Sequence, residues 1–113
     1  MGRTTMATTS HDRRVAVLTA RCTTPLRHDE VASLLDMLND LKAPGCLRAK
    51  AILEVAGEVR PVVVHAVQDM VHDPVQLLGA ASERRGSRLV IITWDIPVHE
   101  IRARLPAAFR ETG

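Results

Sequence analysis

The densest run of chemically capable side chains is His65-Ala66-Val67-Gln68-Asp69-Met70-Val71-His72-Asp73-Pro74. It gathers two imidazoles, two carboxylates and an amide at the end of an expected strand. Imidazole nitrogen and carboxylate oxygen are donors that zinc and similar divalent ions accept. His65, Asp69 and His72 are therefore the candidate metal contacts. Their spacing is not that of a zinc finger. A plainer reading stands beside it, with His65 on the sheet and His72-Asp73-Pro74 forming a turn. Arg48, Lys50, Arg84, Arg85 and Arg88 would form an anion-binding patch if they converged; a solvated face is the commoner outcome for such charges. Cys22 and Cys46 are too few for a disulfide scaffold and too far apart for a CxxC site, so they read as small buried hydrophobes. His28 and His99 lie near expected helix starts and read as surface or capping residues. No P-loop, no G-x-G-x-x-G and no G-x-S-x-G occurs, so the sequence reads as non-enzymatic.

These groups must be positioned by a small set of elements. Residues 14–22 alternate around Val and Leu and predict a strand. His28 to Leu41 predicts a helix, with Val31, Leu34, Leu35, Leu38 and Leu41 on one stripe and Asp29 and Glu30 in its first turn. Ala43-Pro44-Gly45 ends it. Cys46 to Ala56 reads as a strand, with Leu47, Ala49, Ala51, Leu53 and Val55 on one side and Arg48, Lys50, Ile52 and Glu54 on the other. Arg60 to Gln68 reads as the next strand. A loop follows over residues 69–86, with a short helical turn around Val75 to Leu78. Ser87 to Trp94 is a further strand, and Asp95 is a candidate cap for a helix opening near Pro97. The order β-α-β-β-β-α predicts an α+β two-layer sandwich, a four-stranded, largely antiparallel sheet with two helices on one face.

Length and composition agree. The chain has 113 residues, 46% hydrophobic and 25% charged, the balance of one globular domain. Residues 1–12 read as a polar flexible tail and 13–113 as the domain. Lys and Arg number 15 against 13 Asp and Glu, too even a balance for nucleic acid. Phe109 and Trp94, with no Tyr, offer no stacking platform for single strands. No apolar run approaches the ~18 residues of a membrane span, and no apolar leader is evident. The expectation is a cytoplasmic protein that binds neither nucleic acid nor membrane. Val62-Val63-Val64 and Leu89-Val90-Ile91-Ile92 are apolar on both strand faces, while two helices can cover only one. A partner, a second copy or the long loop is expected on the other face.

The run from Gly45 to Leu77, followed by Ser87 to Ile96, resembles the C-terminal domain of the CobW-type GTPases. Leu47-Arg48-Ala49-Lys50-Ala51 matches that domain's second strand. Val67-Gln68, His72 and Pro74 match its following strand and loop. Arg88-Leu89-Val90-Ile91-Ile92 matches its last strand, and Pro25-Leu26 its approach to the helix. Ala51 stands where relatives place glycine, and Asp69 where many place histidine. The resemblance implies an accessory or interaction domain assisting GTP-dependent delivery of metal, zinc or cobalt, in trans. Its partner would be a CobW-type GTPase, a client metalloprotein or a second copy of the chain. Ile52, Val63, His65 and Ile91 are the candidate docking residues, subject to strand register, since a one-residue slip inverts the faces. A freestanding divalent-metal-binding protein and a small ligand-sensing domain are the alternatives.

Overall fold

The computed structural model describes residues 15–41, 45–68, 70–77 and 85–112. The expected tail (residues 1–12), Asp69 and Arg84 lie outside them. Four long strands form the heart of the sheet: β1 (Val15–Cys22), β2 (Cys46–Leu53), β3 (Val62–Val67) and β6 (Ser87–Trp94). Three two-residue strands extend it: β4 (Met70–Val71), β5 (Val75–Gln76) and β7 (Arg110–Glu111). The order is β4-β3-β2-β6-β1-β7, with β5 also pairing β3. Every strand pairing is antiparallel. Helices α1 (His28–Leu41) and α2 (Val98–Arg104) pack on one face, so the expected α+β sandwich is present with more strands than four.

Burial explains this architecture. On the helix side, Leu18, Ala20, Ala49, Ala51, Leu53, Val64, Ala66, Leu89 and Ile91 meet Leu34, Met37 and Leu38 of α1 and Ile101 of α2 in one apolar cluster. Alternation puts every second strand residue into that cluster. Helix α1 starts at His28, as expected. Arg27 donates its backbone N–H to the Glu30 carboxylate at 2.8 Å, the reciprocal half of a capping box. Met37 is a core residue that the stripe did not include. The entry to α1 is fastened to the sheet by Leu26. Its N–H donates to Glu54 O, and its carbonyl accepts from Ala56 N–H, both at 2.8 Å.

Four local expectations are revised. Strand β2 stops at Leu53, because the chain beyond turns to make the parallel Leu26–Val55 bridge. A bulge lies between Cys46 and Arg48, so Cys46, not Leu47, takes the buried position opposite Thr93. Val75–Gln76 is extended rather than helical. It pairs with Val62–Val63 and, with Leu77 N–H donating to Pro61 O at 2.7 Å, satisfies the outer edge of β3. Asp95 does not cap α2. It sits at φ 59° in a bend where the Thr93 hydroxyl donates to Ile96 O at 3.0 Å, and Pro97 precedes the helix without a side-chain cap.

Candidate interaction face

Strand register places the remaining side chains of the long strands on the face away from the helices. Val17, Ile92, Arg48, Val67 and Met70 form one row across it. Thr19, Val90, Lys50 and His65 form the next. Arg110, Arg21, Arg88, Ile52, Val63 and Val75 form a third. Among the described residues, the large apolar side chains left exposed are Val17 (56%), Val59, Val67 (39%), Met70, Val75 and Val90 (40%). All but Val59 belong to this one face. Scattered single apolar residues are ordinary on a surface, whereas these five share one sheet face with the half-buried Ile52, Val63 and Ile92 among them.

The same face carries Arg21, Arg48, Lys50, Arg88 and Arg110, all exposed. None of them joins an ion pair among the described residues, whereas Arg27, Arg85, Arg102 and Arg104 each hold a carboxylate. These rows contain no Asp or Glu. The open face is thus apolar and cationic together, with Arg48 and Lys50 on the same side of β2 as Ile52, as the alternation predicted.

Ile52, Val63 and His65 lie on this face and are half-buried, where the sequence placed them. Ile91 does not. It is fully buried on the helix side, opposite Leu18 and Ala49, and its neighbours Val90 and Ile92 take the open side instead. The four-residue run Leu89–Ile92 has no alternation from which its phase could be read. Sequence reasoning missed Val17, Val67, Met70 and Val75. The alternation of β1 could have found Val17; the others depend on the β3 hairpin edges.

His65 and His72 do come together. Their rings stack with centroids 5.5 Å apart and planes 16° from parallel, and His72 N–H donates to His65 O at 2.9 Å. The Nε2 atom of His65 is buried without a hydrogen-bond partner. Lone pairs of near-parallel rings do not converge on one ion held ~2.0–2.1 Å from both. Among the described residues no three His, Cys, Asp or Glu side chains gather as a metal site. The cysteines are apart and buried. Cys22 pairs with Ser87 and Cys46 with Thr93, six residues along β6 or about 20 Å at strand rise. Desolvation pushes the Cys46 thiol above its ordinary range, opposed by a backbone hydrogen bond at Arg48, so it stays protonated and unreactive. His28 Nε2 lies 3.2 Å from Ala56 O, a surface contact between helix start and turn, and His99 is exposed.

No helix among the described residues is long and apolar enough to cross a membrane. None of the curated proteins compared with the chain matches it. Among solved structures it is similar to the Zn(II)-bound YjiA GTPase from E. coli, at TM-score 0.67 and 24% identity. That match covers 80% of this chain and 28% of the other. A Zn(II)-bound triple mutant of YjiA GTPase matches with the same values. The chain therefore spans little more than a quarter of these structural relatives, and the likeness is one of fold. The family match is made over the chain itself: residues 15–109 fit the description "Cobalamin synthesis protein cobW C-terminal domain", and the chain belongs to that family.

Proposed function

We propose that this chain is a non-enzymatic docking module that assists GTP-dependent metal delivery in trans, by binding a GTPase of its family through the open sheet face. The observation that carries the reading is the collection of Val17, Val67, Met70, Val75 and Val90 on one face, interleaved with Arg48 and Lys50 that hold no carboxylate. Apolar side chains supply the area removed from water, about 25 cal/mol per Å². The cations select an acidic counter-surface and raise the rate of encounter. Zinc or cobalt is the cargo of the complex in this reading, and a metal-receiving client is the other protein that would meet the same face. The Zn(II)-bound state of the similar GTPase structures supports zinc as that cargo.

The test mixes the full chain with a purified cobW-family GTPase from the same genome, with guanine nucleotide and zinc, and measures the complex by light scattering and calorimetry. A one-to-one complex is expected, abolished by Val17→Lys with Val90→Lys while the circular dichroism of the chain is unchanged. Absence of a complex in every nucleotide state, or a complex indifferent to both substitutions, overturns the reading. A dimer of the chain alone that the same substitutions dissociate would instead assign the face to a second copy.

A further inference from the structure

The row Arg110–Arg21–Arg88 is the least expected feature of the molecule. Arg21 on β1 is directly opposite Arg110 of β7 on one side and Arg88 of β6 on the other. Like charges in directly opposite cross-strand positions destabilise a sheet. Here three guanidinium groups occupy one row on three neighbouring strands, and none of the three has a carboxylate partner among the described residues. Beside the row runs a half-open groove of about 330 Å³, with Arg21, Thr23, Arg85, Gly86 and Arg88 in its lining. That volume falls at the small end of ligand-sized pockets.

The groove is structurally prepared. Gly86 takes φ +85°, and a Cβ there would stand 2.8 Å from Cys22 O. The close approach brings the start of β6 against the end of β1 and so sets Arg88 beside Arg21. The Glu54 carboxylate accepts from Gly86 N–H at 2.6 Å and from Arg85 at 3.3 Å. Arg85 is thereby tethered at the rim with donors to spare, since a guanidinium carries five N–H groups.

We propose that this groove binds a polyphosphate chain, with Arg21 and Arg88 as the principal contacts and Arg85 and Arg110 flanking them. Guanidinium forks match phosphate oxygens in pairs. Neighbouring strands are about 4.8 Å apart, whereas side chains on one side of an extended peptide recur only every ~6.7 Å. Successive phosphates of a chain are closer together than neighbouring strands, so neighbouring arginines of the row can each find one, a closer match than the carboxylates of an extended acidic peptide offer. Binding would also relieve the repulsion within the row. The site lies at one end of the open face and does not depend on the protein partner proposed above.

The test is a titration of the full chain with inorganic tripolyphosphate at constant ionic strength, followed by ¹⁵N–¹H correlation spectra. Saturable shifts are expected at the amides of Arg21, Cys22, Gly86, Ser87 and Arg88. Arg21→Gln and Arg88→Gln should each weaken binding by about tenfold or more, the scale of one lost charge-assisted pair. The same two substitutions should leave the thermal midpoint equal or raise it, because each removes a like-charge neighbour. Arg104→Gln, which removes an arginine paired with Asp40 at the opposite end of α1, should leave binding unchanged. Parallel titration with adenosine triphosphate separates free from nucleoside-borne phosphate: equal affinity means that only the phosphate chain is read, tighter affinity that the nucleoside adds contacts. No saturable shift into the millimolar range, equal binding by the arginine variants, or tighter binding of hexaglutamate than of tripolyphosphate overturns the proposal.

Discussion

Leu89 and Val90 are adjacent in sequence and lie on opposite faces of the central strand, so they test the assignment of faces directly. Leu89 is 1% exposed, opposite Ala20 and Ala51 beneath the helices. Val90 is 40% exposed, opposite Thr19 and Lys50 on the open side. Leu89→Ala removes buried methyl groups and leaves a cavity, at a cost of about 2.7–5 kcal/mol. For a domain with a total stability of about 5–15 kcal/mol that is a large fraction. At the size of this chain it lowers the melting temperature by roughly 4 °C for each kcal/mol. Val90→Thr changes a half-exposed position without setting a charge opposite Lys50, and its expected cost is within about 0.5 kcal/mol. Urea unfolding of the two variants beside the parent measures both, with the slope expected to stay constant so that midpoints report stability alone. Equal destabilisation by the two substitutions at a concentration where the chain is monomeric would refute the face assignment, and with it the docking surface.

Gly86→Ala should cost about 1–3 kcal/mol, because the left-handed backbone disfavours a side chain and the new Cβ would press on Cys22 O; urea unfolding checks it. Glu54→Ala leaves the Gly86 N–H without its carboxylate and frees Arg85, with an expected loss of about 1–3 kcal/mol by the same measurement. The folded state holds the Cys46 thiol above its ordinary value of 9.0 by desolvation. The unfolded chain therefore gives up that proton first, so this stabilisation is complete below pH 9 and declines as pH rises through the folded value. Thermal melts above pH 9 should show a decline that Cys46→Ala reduces. His65→Phe deletes a buried nitrogen that lacks a partner and should leave stability unchanged or raise it by up to about 1 kcal/mol, read as a higher urea midpoint.

Much of the fold was legible because its periodicities are strong. The stripe of α1 gave its bounds from His28 to Leu41, and the alternation of Ala49, Ala51 and Leu53 gave the inward side of β2. The short strands were not legible. Two residues carry no period, and β4, β5 and β7 exist because edges of β3 and β1 offer unpaired backbone groups to whatever segment passes nearby. The site was read in part. Val63, Ile52 and His65 were placed on the open face, and His72 was grouped with His65 only as a candidate metal contact. Ile91 was placed on the wrong side because a uniformly apolar strand hides its own phase.

From the order of amino acids alone came the α+β class, the family, the helix with its buried stripe and the excess of apolar β-surface over helical cover. All of these rest on local periodicity and motif order, which are properties of neighbours along the chain. Only the folded sheet decided which side of β6 meets water, that Arg110, Arg21 and Arg88 share a row, and that the two cysteines, on β1 and β2, pair with opposite ends of β6. Those facts depend on register between strands far apart in sequence. Register is set by the joint burial of every inward side chain at once, and no single segment encodes it.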